Sequence, residues 1–455
     1  MSGRLLVIGG GAAGMSAASA ARRVDPSLEI IVLEATGHAA YGLCGLPYLV
    51  SGVIGDASAL LAYPPEFFRE ERNIDLRLGV AAIGIDPSAG TVTCTDGEHE
   101  REIGYDHLVV TAGGAPILPP VPGMDAGING GRIFTVRTLE DAVRLRALLD
   151  GGKARRAVVV GAGYIGLEMA EALRARHLEV VVVELLDQVM PNLDPEIAAL
   201  IETEVRLHGV DLRLQTGLTE LRSSATALVA VLDSGAVSTD VIVVATGVRP
   251  SGGMAAAAGA RTDTSRALLV DRQMRTSLPA VSAAGDCVAH YHRILGRPAF
   301  VPLGPAANKT GRVAGTVAAG RDAEFHGILG TAVVKVFDLA VGRTGLTLRE
   351  ARQGGVAALA TDVVGRSRAK YYPGSEAVNV RLVHEPGGRL LGAQMVGRSG
   401  VAKRIDVVAA ALQAGFGVDD LADLDLSYAP PYAPVYEPVL VAAQAAARSG
   451  TGAVA

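Results

Sequence analysis

The sequence predicts an α/β architecture: two doubly wound parallel-sheet units, with a smaller α+β unit at the C-terminal end. Three observations point to it. A strand, a Gly-rich turn, a helix and a second strand succeed one another over residues 4–35. The same order returns about 150 residues later, over 155–186. From about residue 331 the Gly-rich turns give way to strand-like runs and a closing helix. Strands alternating with helices favour parallel sheets, whereas strands grouped together favour α+β.

The run "RLLVI" (4–8) is short, apolar and bounded by glycine, as a buried strand is. "GGGAAG" is a turn, an Ala-rich helix runs from about Met15 to Arg23, and "EIIVLEA" is the second strand, with Glu34 at its end. This is a βαβ unit. "RRAVVVGAGYIGLEMAEALRARHLEVVVVELL" repeats it and ends near Glu184. A repeat this widely spaced marks two domains, not a solenoid. The Pro/Gly-rich "GGAPILPPVPGMDAGINGG" (113–131) reads as a linker. Beyond "VIVVATGVRP" (241–250), the stretch "VPLGPAANKTGRVAGTVAAG" (301–320) reads as a turn and a helix. "TAVVKVFDLAVGRTGL", "AVNVRLVHE" and "GRLLGAQMVG" read as strands before the helix "AKRIDVVAAALQA". The last residues, 447–455, read as a flexible tail.

Composition excludes several classes. With 49% hydrophobic and 20% charged residues, the 455-residue chain can bury large cores, and its length suits two to four domains. A net charge of −5 without a long basic tract argues against nucleic acid as a partner. The three cysteines, Cys44, Cys94 and Cys287, are widely spaced and form no CxxC, so neither a disulfide scaffold nor a zinc site is expected, and no metal. The apolar runs are too short to span a bilayer. "MSGRLLVIGGG" enters a strand at once, without a charged-then-apolar leader. The expected compartment is a reducing cytoplasm, where a thiol survives.

The Gly-rich turns carry the first chemistry. In Gly9-x-Gly11-x-x-Gly14, the first glycine makes the turn and the second lets backbone approach a pyrophosphate. The third lets helix and strand pack. Ala12 and Ala13 lie in this turn, ahead of the helix whose N-terminal N–H groups favour phosphate. Glu34 is placed to bind ribose hydroxyls. Gly161, Gly163, Gly166 and Glu184 repeat the logic. A carboxylate at 184 bonds a 2′-OH and repels a 2′-phosphate, and no Arg follows in "ELLDQVMP", so NADH is expected in preference to NADPH.

Two dinucleotide sites in one chain suggest two cofactors exchanging a hydride. Here the sequence resembles the flavin-dependent pyridine nucleotide–disulfide oxidoreductases. "TAGGAP" (111–116) and "ATGVRP" (245–250) are similar to the family's linker signatures, and "TSLPAVSAAGD" to its second flavin motif. The resemblance implies an FAD domain from 1–117 and 250–325, an NAD(P)H domain at 118–249 and a dimerisation domain at 326–446. It places Val80, Thr111, Ala112, Gly113, Asp286 and Ala306 against FAD, Asp286 on the ribityl chain. The helix from "GPAANKTG" would point its N-terminus at the flavin pyrimidine edge. The resemblance makes Tyr164 the residue that covers the flavin until nicotinamide displaces it, with Ile165, Glu168 and Gly247 at the nucleotide. Cys287 reads as packing.

Cys44, in "AYGLCGLPYLVSG", is the candidate redox centre. A thiol near a helix N-terminus is biased towards thiolate and becomes nucleophilic. Ala39 occupies the position where dithiol relatives carry a second cysteine, so the chain resembles the single-cysteine branch: coenzyme A disulfide reductases, NADH oxidases and peroxidases, and persulfide reductases. "YAPPY" resembles the segment that brings Tyr428 from the partner of a homodimer to the Cys44 pocket, with Tyr371 or Tyr372 beside it. Ser16, Arg23 and Arg72 match positions that bind substrate. Ala40 and Leu43 replace a Ser and an Asn that contact substrate in the coenzyme A enzymes. The first Gly loop lacks the His of the peroxidases, and His38 reads as a solvated turn residue. The acceptor stays open: a small disulfide or persulfide, or O₂ in an NADH oxidase with Cys44 as sulfenic acid. A flavin-bearing NADH sensor with little turnover is the alternative outside enzymes.

Overall fold

The computed structural model describes residues 3–223 and 228–450, and the chain divides into two compact units. Met1–Ile117, Val136–Arg146 and Gly247–Ile328 form the first; Leu118–Thr135, Ala147–Thr246 and Leu329–Ala455 form the second. The segment 136–146, expected with the 118–249 domain, therefore groups with the first unit.

The first unit is built on the strand Arg4–Ile8, whose last four residues are buried. It lies at the centre of a parallel sheet ordered Val281–Ala283, His107–Val110, Arg4–Ile8, Glu29–Glu34, Asp75–Leu78. The chain's next strand lies on one side and a much later one on the other. The loop leaving Ile8 thus opens at a topological switch point, where doubly wound sheets bind ligands. The helix after it starts at Ala12, inside the Gly-rich turn and earlier than expected, and ends at Val24. It packs on the helix Gly304–Ala318 through small residues. A Cβ at Gly311 would lie 2.1 Å from the Ala13 oxygen, and one at Gly315 2.0 Å from the Ala17 oxygen. Only glycine permits so close a crossing.

An antiparallel sheet of Ala81–Asp86, Thr91–Thr95 and Glu100–Gly104 completes this unit. The linker read at 113–131 holds structure. Gly114–Pro116 pairs with Val248–Pro250, and Met124–Asn129 is helical.

The second unit repeats the parallel sheet, ordered Asp211–Arg213, Glu179–Val183, Arg156–Val160, Val241–Val244, Ile133–Phe134. Its C-terminal part is an antiparallel sheet ordered Ala332–Val336, Leu339–Gly345, Leu390–Gly397, Ala377–His384, Leu359–Arg366. Leu390–Gly397 is buried along its whole length, under the helix Val401–Ala414. The strand Leu359–Arg366 was not anticipated, because half-buried and exposed positions give its sequence no apolar run. The tail expected from 447 is in part the end of the helix Pro438–Gly450; residues 451–455 lie outside the described residues. Among the described residues no helix is long and apolar enough to cross a membrane.

Candidate active site

The two Gly-rich turns share one design. Gly9 takes φ +99°, and a Cβ there would lie 2.4 Å from the Thr111 oxygen. Gly161 takes φ +103°, with Ala245 oxygen at the same 2.4 Å. A Cβ at Gly14 or Gly166 would strike the carbonyl of Gly9 or Gly161 at 1.8 and 1.9 Å. At Gly11 and Gly163 a Cβ would meet nothing within 4 Å. Each loop is thus closed by two glycines and left open at the third, where a pyrophosphate would approach. The residues fit dinucleotide cofactors.

The strand-end acids brace these loops. Glu34 Oε2 accepts from Gly10 N–H at 2.7 Å, while Oε1 accepts from the Thr36 N–H and hydroxyl, both at 2.8 Å. Glu184 Oε2 accepts from Ala162 N–H at 2.7 Å and Oε1 from Leu186 N–H at 3.0 Å. Val80 N–H donates to the Glu34 carbonyl at 2.9 Å. The Thr111 hydroxyl donates to the Ile8 carbonyl at 2.7 Å, beside Ala112 and Gly113 at the sheet's carboxyl end. Ala12 is exposed and Ala13 buried in the first turn, and Ser16 donates to Asn308 at 2.8 Å. Ala306 is buried in the first turn of the helix Gly304–Ala318, whose partial positive end suits an anionic group.

Asp286 faces a residue that sequence reasoning missed. Arg137 approaches its Oδ2 at 3.4 Å and donates to Gly114 O at 3.0 Å. Nothing in "TVRTLEDAVRLR" singles Arg137 out, since the segment's return to the first unit is a tertiary event. Cys287, fully buried, has its thiol pushed up to about 12 by burial and the neighbouring Asp286 charge, as a packing residue would.

Cys44 lies in a 3₁₀ turn, Leu43–Gly45, that leads into the helix Leu46–Ser51. It is exposed, whereas Cys94 and Cys287 are buried. The helix has only six residues, so its dipole is small. Pro47 opens it and Gly52, at φ +90°, stops it.

The surroundings of this turn correct one expectation. His38 is not simply solvated: its Nδ1 lies 2.7 Å from Glu140 Oε1. Burial works to raise the Glu140 carboxyl, but the His38 hydrogen bond and charge, with further hydrogen bonds from the Glu140 backbone and Thr138, together hold it below its usual range. Tyr41, three residues before Cys44, is pushed up to about 12 by burial and by the Glu140 and Glu34 charges. Tyr41 and Glu140 escaped the sequence reading because only the fold gathers them.

Arg72 lies over the Phe67 ring, 5.1 Å from its centroid, and Phe67 stacks on Tyr63 at 4.2 Å. Arg23 is exposed in the last turn of its helix.

In the second unit, Tyr164 opens the helix Tyr164–Ala175, with Ile165 half-buried after it. Asn192 Nδ2 donates to the Tyr164 hydroxyl at 2.8 Å. Burial raises the phenol, with the Arg343 charge and then the Asn192 bond opposing. Glu168, one turn on, is raised to about 7 by burial and by Glu171. Gly247, at the first unit's edge, takes φ +117° and accepts from Ile117 N–H at 3.0 Å. Tyr371, Tyr372 and Tyr428 are 75%, 37% and 50% exposed, and the Tyr371 and Tyr428 hydroxyls lie 3.4 Å apart. Glu204, His208 and Asp338 also gather. Arg398 takes both carboxylates, at 3.2 and 2.7 Å, so the cluster is an ion-pair network.

Residues 3–319 match the model of a family described as "Pyridine nucleotide-disulphide oxidoreductase", and residues 331–438 match that family's dimerisation domain. An "NADH oxidase" of Methanocaldococcus jannaschii is 35% identical over 430 residues, covering 94% of this chain and 95% of that one. An "NAD(P)H coenzyme A polysulfide/persulfide reductase" of Pyrococcus horikoshii is 37% identical over 433 residues, covering 95% of each. Among solved structures, an NAD-dependent persulfide reductase from A. fulgidus superposes with a TM-score of 0.94 at 38% identity, covering 99% of this chain and 84% of that one.

Proposed function

Because the chain belongs to the pyridine nucleotide-disulphide oxidoreductase family, we propose that it is an FAD-dependent, NADH-preferring enzyme that reduces a small disulfide or persulfide through Cys44. The observation that carries this reading is the setting of Cys44: an exposed thiol in a Gly-bounded turn, in a chain whose other cysteines are buried. The cofactors, when bound, supply two-electron reduction from nicotinamide to sulfur.

The chain's own residues do the rest. Gly9, Gly11, Gly14, Ala12, Ala13, Glu34, Val80, Thr111, Ala112, Gly113, Asp286 and Ala306 hold FAD, with Arg137 countering Asp286. Gly161, Gly163, Gly166, Ile165, Glu168, Glu184 and Gly247 hold NADH. Glu184 meets the 2′-hydroxyl, and no cation follows it to accept a 2′-phosphate. Tyr164 covers the flavin and turns away for nicotinamide. The Cys44 thiolate attacks one sulfur of the acceptor, a Cys44–S–S–R bond forms, and the other sulfur leaves as thiolate or hydrosulfide. Two electrons then cleave the mixed disulfide, returning Cys44 thiolate and RS⁻. Tyr428 of the partner subunit in a homodimer, with Tyr371 or Tyr372, donates a proton to the departing sulfur. Ser16, Arg23 and Arg72 bind the substrate's polar end. Such a thiol belongs in a reducing compartment.

Cys44→Ser tests the reading. It should keep FAD and flavin reduction by NADH and lose disulfide turnover; full retained turnover removes Cys44 from the mechanism. Intact mass before and after reductant reads the resting adduct: a thiol, one sulfur or one oxygen. The M. jannaschii relative named an NADH oxidase favours a second reading, O₂ reduction with Cys44 cycling through sulfenic acid. O₂ uptake equal to NADH consumed would select it.

A further inference from the structure

Tyr164 and Asn192 stand 28 residues apart and meet through one hydrogen bond. Asn192 lies in the loop between the strand Glu179–Val183 and the helix Pro195–Leu207. That loop is fastened on every side. Buried Arg343 donates to the Asn192 carbonyl and pairs with Glu350 at 2.6 Å. Asp194, 2% exposed, accepts from Gln394 Nε2 at 2.6 Å and from Leu348 N–H at 3.0 Å. Gln188 accepts from Arg349 at 2.9 Å. Surface loops are the mobile parts of most folds. Here the amide that meets Tyr164 is pinned through its own backbone to the C-terminal sheet.

We propose that Asn192 is the catch that holds Tyr164 in its resting position, and that Arg343 and Glu350 set that catch. The inference rests on the proposed reading of Tyr164 as the residue nicotinamide must displace. Displacement breaks the Asn192 bond, so NADH binds more weakly than it would to a freed tyrosine. Asn192 is then a positioning residue that tunes NADH affinity without touching the nucleotide. One neutral hydrogen bond corresponds to roughly three- to tenfold in affinity. The holding residues belong to the domain matched by the dimerisation model, so the resting position of Tyr164 is set from outside the nucleotide domain.

The test is a double-mutant cycle on the flavin-loaded protein. Wild type, Asn192→Ala, Tyr164→Phe and the double variant are titrated by calorimetry with tetrahydro-NADH, a non-reducing analogue. Each single variant should bind it roughly three- to tenfold more tightly, and the double variant no more tightly than either. In Asn192→Ala the KM for the acceptor should stay unchanged. Tyr164→Phe removes the same bond from the other side, so the test survives if Asn192→Ala fails to fold. Affinities within twofold of wild type, or additive effects in the double variant, overturn the catch. If flavin reduction by NADH is normal in such a case, the catch alone has failed. If the analogue does not bind and NADH leaves every flavin oxidised, the reading of residues 161–184 as the NADH site fails and takes the catch with it.

Discussion

Glu168→Gln should make the protein more stable at pH 8 and leave it unchanged at pH 4.5. Burial and the neighbouring Glu171 lift the Glu168 carboxyl from 4.5 to about 7 in the folded chain. Below pH 4.5 the group is protonated in both the folded and unfolded states and contributes no difference. Between 4.5 and 7 the folded state keeps a proton that the unfolded state releases, so stability falls as pH rises. Above 7 both are ionised and the full loss is present. A rise from 4.5 to about 7 corresponds to about 3 kcal/mol, and discounting for the partly exposed carboxyl leaves about 2 kcal/mol. Glutamine is neutral at every pH and escapes this loss. For a cooperative unit of this size, that is an upward shift of the thermal midpoint of about 4 to 8 °C. The assay is thermal unfolding of both proteins, FAD-loaded and without NADH, from pH 4.5 to 8.5. A wild-type-minus-variant difference that stays flat across this range, or a glutamine variant less stable at pH 8, refutes the reasoning.

Three further outcomes follow from the geometry. Gly163→Val, where a Cβ meets nothing within 4 Å, should fold normally and lose NADH affinity by more than about tenfold, whereas Gly161→Val, aimed 2.4 Å from the Ala245 oxygen, should unfold the loop; calorimetry and melting curves separate the two. Gly311→Ala should lower stability by about 2 kcal/mol despite alanine's better helix propensity, because its Cβ would sit 2.1 Å from the Ala13 oxygen, and FAD retention on dialysis should fall with it. His290, 1% exposed with an unpartnered Nδ1, is pushed down to about 4 by burial. Its contribution is present above pH 6.5 and lost as pH falls towards 4, about 3 kcal/mol in all, so His290→Phe should flatten the acid limb of the melting profile.

The parts of the fold that repeat a local rule were legible from residues alone. A five-residue apolar strand followed by Gly-x-Gly-x-x-Gly admits few geometries, and both turns close as their glycines require. The strand-end acids Glu34 and Glu184 were legible for the same reason. Arg137 was not, because its segment carries no periodicity that sends it back to the first unit. Tyr41, His38 and Glu140 meet only once the helix Leu139–Asp150 is in place. Asn192 sits in a loop whose shape is dictated from residues 343–394, a distance over which a linear pattern holds no information. Leu359–Arg366 failed for a plainer reason: a strand with much of its length in water shows little of the apolar signal that reveals strands.

Each strand-end carboxylate already serves its own loop before a nucleotide arrives, Glu34 through Gly10 and Glu184 through Ala162. With Glu184 read as proposed, as the carboxylate that meets the ribose, nucleotide choice and loop shape would rest on one side chain. An engineer who removes Glu184 to admit a phosphorylated ribose also strips the Ala162 and Leu186 amides of their acceptor. Retuning the proposed site at Glu184 therefore calls for a substitute acceptor for those two N–H groups as well.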